Sequence, residues 1–251
     1  MPAINIIEVQ PPDTLADYVD AFWHCQIRSP GVIRLLPTAC SELMAYHKLY
    51  LSGLSFIGPM GKSQMTQVRA GEVYAGARLK AGTKALFREK SYQALKDSKL
   101  RSYEMLDPAM KAFEVTMPYL LTFEALEESL KALVITLIDR QQLVRDPLVD
   151  QFIALSESCQ GLMKAEEVML RVPMSPRHFR RRFADFTGFT PKEFLRLCRH
   201  QMAVLDLKRK TRTVTEVAAM NGYTDHAHFT NEFQQLVGVT PISFENELTL
   251  K

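Results

Sequence analysis

Two stretches of the chain decide its fold: SPRHFRRRFADFTGFTPKEF at Ser175–Phe194 and DHAHFTNEFQQLVGVTPISF at Asp225–Phe244. They align at a constant offset of 50 residues. The shared residues are His178/His228, Phe179/Phe229, Phe183/Phe233, Gly188/Gly238, Thr190/Thr240, Pro191/Pro241 and Phe194/Phe244. Each copy reads as a helix, a turn and a second helix that ends at a glycine, so the repeat predicts a duplicated helix-turn-helix.

The bulk properties limit the class of protein. At 251 residues the chain is long enough for two domains, each with its own core. Cys25, Cys40, Cys159 and Cys198 are widely spaced, without a C-x-x-C pair or a histidine at zinc-ligand spacing, so we predict no disulfide framework, metal or cofactor. There is no apolar run of bilayer length and no signal peptide at the start. We therefore expect a cytoplasmic protein with no membrane partner.

Positive charge is concentrated in one segment of the chain. Residues 174–212 contain eleven Lys and Arg against three Asp and Glu, whereas residues 213–251 contain one Lys against five acidic residues. The basic charge thus lies on the first repeat and on the segment that follows it. Such a one-sided distribution is typical of a nucleic-acid-binding surface.

The first repeat contains the signals of an amphipathic helix. Ser175 is a favourable N-cap and Pro176 suits the first helical position, so we expect a helix to about Thr187, before Gly188. Its apolar stripe is Phe179, Phe183 and Phe186; the opposite side carries Arg177, Arg181 and Ala184, and Arg180 lies on the flank. Arginines on such a face can donate in pairs to O6 and N7 of guanine in a major groove. The alternative is a basic face that is merely solvated.

The second repeat has the same scaffold with neutral outward chemistry. Thr213 and Glu216 form a capping box for its first helix, and Gly222 allows the turn. In the second helix Phe229, Phe233 and Leu236 face the core, and Ala227, Thr230, Asn231 and Gln234 face outward. Asn and Gln can pair with adenine without supplying charge. We therefore predict that this unit binds DNA more weakly than the first.

A connector joins the two units. Thr190 and Glu193 form a capping box that opens a helix to about Arg209, with an apolar stripe of Phe194, Leu197, Cys198, Met202 and Leu205. About 19 residues at 1.5 Å each span roughly 28 Å, close to the ~34 Å between successive major grooves on one DNA face. One monomer could therefore reach two adjacent grooves. The expected phosphate contacts are Lys192, Arg196, Lys208, Lys210 and Arg212.

Paired units joined by a long helix resemble the DNA-binding domain of AraC/XylS-type bacterial transcription regulators, over about Asp146–Leu248. The resemblance implies a sequence-specific regulator of transcription that binds double-stranded DNA and acts together with RNA polymerase. It also implies base contacts from Arg177, Arg180 and Arg181 in the first unit and from Ala227, His228 and Asn231 in the second. The sequence departs from the family pattern at Met169, Pro173 and Asn231, where the family usually has a small residue, a glycine and an arginine.

The N-terminal part is β-rich. Strands are predicted at residues 5–9, 22–27, 32–36, 42–47, 54–57, 65–69 and 73–80, which fits a small antiparallel barrel or sandwich. The phrases YVDAFWH, LPTACSELMAYH, FIGPM and AGARLKAGTKALF are similar to a cupin-type sensor domain of AraC-associated regulators. This resemblance implies a small-molecule effector, and Tyr18, Trp23, Tyr46 and Arg78 are the candidate pocket residues. Aromatic residues of strands also commonly belong to the core.

The sequence as a whole predicts an α+β protein of two domains. Residues 1–145 form a cupin-like sensor and dimerisation domain that ends in helices, and residues 146–251 form an all-α domain. In the helical end of the first domain, Phe123, Leu126, Leu130, Leu133 and Leu137 follow alternating steps of three and four. This spacing fits a homodimer helix, or a helix packed on its own domain. Pro147 marks the start of the second domain.

Two other classes of protein have some support in the sequence. One is a cupin-like small-molecule or metal-dependent enzyme with an appended helical module, for which His24, Cys25, Cys40, Glu42 and His47 would be the reactive groups. Their spacing does not match a metal-binding barrel, and no catalytic motif is present, so we expect no enzyme. The other is a protein-interaction module, but helical arrays of that kind need about three or more repeats.

Overall fold

The computed structural model describes residues 3–49, 51–86, 92–105, 107–117 and 122–249. A β-rich N-terminal part is followed by helices, which confirms the predicted fold class. The strands are β1 (Ile4–Val9), β2 (Val19–Ile27), β3 (Gly31–Leu35), β4 (Ser41–Lys48), β5 (Leu51–Ile57), β6 (Gln64–Val68), β7 (Val73–Leu79), β8 (Lys84–Ala85), β9 (Lys99–Arg101) and β10 (Leu143–Val144). All seven predicted strands are present. The short β8, β9 and β10 have too few residues to show a period-two pattern.

The strands pair antiparallel throughout the described ranges. The main sheet has the order β1-β2-β7-β4-β5-β9, and β3 pairs with β6 and β8 with β10 in two separate ribbons. At its centre Leu43 of β4 lies opposite Ala77 of β7, and Ala45 lies opposite Ala75. These small buried alanines leave room for a helix to pack closely on this face.

The helices follow the sheet. They are α1 (Ser102–Met105), α2 (Pro108–Thr116), α3 (Phe123–Asp139), α4 (Pro147–Ser158), α5 (Ala165–Met169), α6 (Pro176–Thr187), α7 (Pro191–Arg209), α8 (Val214–Met220), α9 (His226–Val237) and α10 (Pro241–Thr249), and a 3-10 helix spans Tyr92–Leu95. None of the helices in the described ranges is long and apolar enough to cross a bilayer.

Helix α3 packs on the main sheet of its own chain. Leu126, Leu130, Leu133 and Leu137 are buried in one cluster with residues of β4, β5 and β7. The ring of Phe123 stacks on the ring of His24 in β2, with 4.0 Å between centroids. These leucines therefore pack on their own domain, which is the second of the two interpretations of their spacing. A helix that packs on a sheet needs the same apolar stripe as a helix that packs on a helix, so the spacing alone could not separate the two.

The C-terminal helices form two units with matching cores. In the first, Phe152, Phe179, Phe183 and Phe194 pack edge to face or tilted, with centroids 4.8 to 5.6 Å apart. In the second, Tyr223, Phe229, Phe233 and Phe244 pack in the same way at 4.7 to 5.6 Å. All of them except Phe152 and Tyr223 are aromatic residues shared by the two repeats, and together they fill the inner face of each unit.

The connector helix α7 contributes to both cores. Phe194, Leu197 and Cys198 belong to the first, and Ala203, Val204 and Leu207 belong to the second. Leu205, which the predicted stripe included, is 44% exposed. An α-helix has about 3.6 residues per turn, so over 19 residues its buried side drifts away from a strict alternation of three and four. The buried side therefore passes through Val204 and Leu207 near the end of α7.

Capping residues set the ends of the helices. Thr190 and Glu193 at the start of α7, and Thr213 and Glu216 at the start of α8, form the two predicted capping boxes. Ser175 occupies the N-cap position of α6, but its hydroxyl accepts no hydrogen bond from the first helical turn in the described part of the chain. Pro176 at the first helical position removes one N–H from that turn.

Candidate nucleic-acid interface

The first exposed face lies on α6. Phe179 and Phe183 are fully buried on its inner side, so the arginines on the other side, Arg177, Arg180 and Arg181, are exposed to solvent. Arg180 Nη2 lies 3.7 Å from Glu166 Oε1, and both side chains are largely exposed. Such an ion pair is weak in water, so it leaves the guanidinium available to a partner. We call Arg177, Arg180 and Arg181 the α6 face.

Arg182 follows directly on α6 but has a different role. Its guanidinium binds Asp146, whose side chain is 2% exposed and also accepts from the backbone N–H groups of Leu148 and Val149 at the start of α4. This contact joins α6 to the first turn of α4. Arg182 is thus held by a contact inside the protein.

The second exposed face lies on α9. Phe229 and Phe233 are fully buried, and Ala227, His228 and Asn231 are exposed on the other side. We call these three residues the α9 face. It contains no lysine or arginine, and His228 Nε2 lies 3.9 Å from Glu232 Oε2. The two faces are equivalent in position and differ in chemistry, with arginines on the first and small or neutral polar groups on the second.

The residues expected to contact phosphates do not all lie free at the surface. Lys192 and Lys208 are exposed, and Lys210 is the exposed C-cap of α7 in a left-handed conformation. Arg212 Nη1 lies 3.5 Å from Asp206 Oδ1. Arg196 is bound within the protein, because its Nε lies 3.0 Å from Glu232 Oε2 and its Nη2 donates to Gln235 Oε1 at 3.0 Å. Arg196 thus links α7 to α9, and its contact with phosphate stays a prediction.

A buried polar pair supports the second unit and was not singled out from the sequence. Asn221, the C-cap of α8, donates through Nδ2 to Asp206 Oδ2 of α7 at 3.1 Å, and to the carbonyl of Val217 at 2.9 Å. Both Asn221 and Asp206 are buried. A lone acid within the apolar stripe of α7 is the signal that could have identified this contact.

The four candidate effector residues do not all lie in one place. Arg78 is held by Glu8, Asp20 and Glu42, at 2.6, 3.3 and 3.5 Å. Tyr46 belongs to a buried cluster in which Trp23 is partly buried. Tyr18 alone among the four lines a cavity of about 590 Å³, which lies between the start of β2, the end of β7 and α4. Its lining also includes Asp17, Asp20, Cys40, Lys80, Ala81, Arg145, Asp150, Ile153, Ala154 and Glu157.

The residues considered for catalysis do not form one reactive site. Burial raises the pKa of Cys40 to about 11 and that of Cys25 to about 11, so both thiols stay protonated at neutral pH and are poor nucleophiles. Glu42 binds Arg78, and His47 Nδ1 is hydrogen-bonded to the Ser52 hydroxyl at 2.7 Å. Within the described ranges, no three His, Cys, Asp or Glu side chains lie together as metal ligands would.

Comparison with known proteins finds a matching family model in each part of the chain. A family model described as a helix-turn-helix domain matches residues 170–247, and a domain of unknown function, DUF6597, matches residues 7–101. The chain is 32% identical over 94 residues to the HTH-type transcriptional regulator YidL of Escherichia coli K12, covering 37% of this chain and 32% of that protein. It therefore spans about a third of the length of this relative.

Two further similarities extend the comparison. Over the whole chain the fold is similar to the crystal structure of ToxT from Vibrio cholerae O395, with a TM-score of 0.49, 10% identity and coverage of 99% of this chain and 98% of that one. The probable transcription factor PqrA of Proteus vulgaris is 30% identical over 88 residues, which are 35% of this chain and 72% of that protein. With the duplicated helix-turn-helix in place and most of that transcription factor covered, the chain belongs to the AraC/XylS-type family of transcription regulators.

Proposed function

We propose that the protein binds double-stranded DNA in a sequence-specific way and regulates transcription. The observation that carries this proposal is that the α6 face and the α9 face are the same side of the same helix in two repeats, both exposed opposite a buried aromatic core. Helix α7, with 19 residues, joins the two units and spans roughly 28 Å. This length suits two helices that enter adjacent major grooves, which are ~34 Å apart.

The two faces have separate roles in this proposal. Arg177, Arg180 and Arg181 donate to guanine edges and supply most of the electrostatic attraction. On the second unit, Asn231 pairs with adenine, and the small Ala227 allows His228 and the backbone to come close to the groove. The phosphate contacts come from the exposed cations of α7 and the turn after it, which are Lys192, Lys208, Lys210 and Arg212.

Selection of bound sequences from a random DNA pool tests the proposal directly. The wild-type chain is expected to enrich a bipartite site whose two halves are separated by about one helical turn. Its affinity for that site should fall steeply between about 50 and 200 mM salt. An Arg177→Ala, Arg181→Ala variant should lose the enriched sequence in one half of the site only. Recovery of no consensus, together with affinity that does not depend on salt, would contradict the function.

The N-terminal domain, residues 1–145 in this proposal, receives a small-molecule signal. The cavity lined by Tyr18 lies between this domain and α4 of the DNA-binding domain, and cavities at such junctions are common ligand sites. Its lining is largely charged, so a polar ligand is expected. A ligand that raises the melting temperature of the wild-type chain, but not that of a Tyr18→Ala, Glu157→Ala variant, supports the site. An equal shift in both proteins contradicts it.

The proposal also includes two protein partners, RNA polymerase and a second copy of the chain. A regulator of this kind acts on RNA polymerase at a promoter, and therefore in the cytoplasm, and it has no catalytic role. A homodimer on a paired operator is retained, but the buried face of α3 is not its contact surface. Sedimentation of the chain with and without the selected DNA tests the homodimer. A dimer doubles the protein mass bound when the operator contains two copies of the bipartite site.

A further inference from the structure

Two turns occupy equivalent positions in the repeats. We call α6 and α9 the recognition helices. Each ends at a C-cap glycine in the left-handed region, Gly188 after α6 with φ 76° and Gly238 after α9 with φ 84°. We call residues 186–190 the first C-cap turn and residues 236–240 the second C-cap turn. Both turns lie at the C-terminal ends of their recognition helices and lead into the next helix, α7 or α10. Both are contacted by the N-terminal domain.

The first C-cap turn is contacted by two lysines. The ammonium of Lys96 lies 4.3 Å from the ring centroid of Phe189 and 3.2 Å from Glu193 Oε1. The ammonium of Lys84 lies 5.2 Å from the ring centroid of Phe186 and 2.6 Å from Asp185 Oδ2. Packing is close here as well, because a Cβ at Gly188 would lie 3.5 Å from Lys96 Cβ.

The second C-cap turn is contacted by the β3–β6 ribbon. Arg34 donates through Nη1 to the carbonyl of Val237 at 2.7 Å, and the Ser63 hydroxyl donates to the same carbonyl at 2.6 Å. The backbone N–H of Ser63 donates to the carbonyl of Leu236 at 2.7 Å. These carbonyls end α9, where the helix dipole and the unpaired acceptors favour a cation. Arg34 also binds Glu247 of α10 at 3.2 Å.

Residues of the N-terminal domain also pack into the cores of both helix-turn-helix units. Ala39 and Ala81 are buried in the cluster formed by α4–α7, and Leu36 packs against the core of the second unit. The domain thus contacts both units through buried apolar groups as well as through hydrogen bonds. The α6 and α9 faces remain exposed, so these contacts do not cover the surfaces assigned to DNA.

We infer that Arg34, Ser63, Lys84 and Lys96 are positioning residues for DNA binding, which hold the two recognition helices in one relative geometry through their C-cap turns. This inference rests on the proposed function. The connector α7 and the Arg196–Glu232 ion pair join the units on one side, and the N-terminal domain joins them again at equivalent points. Two units held in this way bind a two-groove site as one rigid body. Their relative orientation is fixed before DNA binds, so binding does not have to lose that conformational entropy.

The DNA experiment compares spacing selectivity in the full chain. The double variant Arg34→Ala, Lys96→Ala is expected to bind the selected bipartite site roughly tenfold more weakly than wild type. It should also discriminate less against the same site with one or two base pairs inserted between the halves. Arg34→Lys, which retains a donor for the Val237 carbonyl, should restore part of the selectivity. Arg28→Ala is the matched control, since it removes an exposed positive charge from the same domain.

A measurement without DNA separates this inference from the proposed function. Spin labels at Arg177→Cys and Asn231→Cys, in a background with Cys40→Ser and Cys159→Ser, report the distance between the recognition helices. A narrow distribution in wild type that broadens in the double variant, with unchanged circular dichroism, supports the inference whatever DNA is bound. An equally narrow distribution in the double variant, or unchanged spacing selectivity, overturns it. If the distance distributions behave as expected but the unlabelled wild-type chain selects no DNA site, the positioning role in DNA binding fails together with the proposed function.

Discussion

Arg196 of α7 and Glu232 of α9 form an ion pair in which Nε lies 3.0 Å from Oε2. The two side chains are 31% and 11% exposed, so the carboxylate is largely removed from water. The same guanidinium donates to Gln235. Arg196 therefore holds the second recognition helix against the connector, and its charge is already balanced inside the protein.

Replacement of Arg196 by alanine tests this assignment. The Glu232 carboxylate would lose its arginine partner in a mostly buried place, so we expect the free energy of unfolding to fall by about 1–3 kcal/mol. The dependence of DNA affinity on salt should keep its slope. Lys192→Ala is the matched variant, since it removes an exposed cation from the same helix and should lower that slope by about one without changing stability. A lower salt slope for Arg196→Ala would return this residue to the phosphate contacts.

The difference between the two recognition helices is tested on one DNA site. Arg181→Ala should cost about 1–3 kcal/mol of binding free energy, because it removes a bidentate, charged donor from a base edge. Asn231→Ala should cost less, since its amide is neutral. Arg69→Ala, which removes an exposed arginine in the N-terminal domain, serves as the control. Titration of the three variants against the same labelled DNA gives the comparison, and equal losses for Arg181 and Asn231 would remove the asymmetry.

The sequence predicted which sides of α6 and α9 are buried and which are exposed, because one pattern occurs in both repeats. Phenylalanines four residues apart, such as Phe179 and Phe183, require one side of α6 to be buried, and the α-helical period then places Arg177 and Arg181 on the other side. The same argument applies to α9. Glycine and Thr-Pro after each helix predicted the ends of α6 and α9 and the start of α7, because those residues have local conformational preferences.

The sequence could not predict contacts between distant segments. Arg34 and Val237 are separated by 203 residues along the chain, and no local pattern links them. Arg196 read as a free cation for the same reason, since its partner Glu232 lies on another helix. The spacing of the leucines of α3 fits both a dimer and a helix packed on its own domain, because it does not say whether a sheet or a second helix covers them. Only the tertiary arrangement of β7 and α3 decides this point.

Leucine substitutions on α3 test the packing of this helix on its own sheet. Leu137 is fully buried, so Leu137→Ala should lower the free energy of unfolding by about 2–5 kcal/mol and leave the oligomeric state unchanged. Ile135, 44% exposed on the same helix, provides the control, and Ile135→Ala should change stability by less than about 0.5 kcal/mol. Denaturant titration and sedimentation measure the two properties. A dimer that dissociates in Leu137→Ala while the monomer keeps its stability would contradict the assignment.

The stability of the DNA-binding domain should depend on pH through His200. This residue of α7 is 1% exposed, its ring centroid lies 5.1 Å from that of Phe233, and neither ring nitrogen has a hydrogen-bond partner among the described residues. Burial, together with the nearby charge of Arg196, lowers the pKa of His200 from 6.5 to about 4. The folded protein thus holds a neutral imidazole under conditions in which the unfolded chain is protonated.

The sign of the effect follows from this difference. Above pH 6.5 both states are neutral at His200 and its contribution to stability is fully present, whereas between pH 6.5 and about 4 the unfolded state binds the additional proton. We expect the free energy of unfolding to fall by about 3 kcal/mol across this window because of His200 alone. His200→Phe keeps an aromatic ring beside Phe233 and removes the titration. Both proteins are denatured at a series of pH values. The difference between their free energies of unfolding at each pH removes the contributions of the other titrating groups. A constant difference from pH 7 to pH 4 would show that His200 is protonated in the folded state as readily as in the unfolded chain, and would contradict its burial as a neutral group.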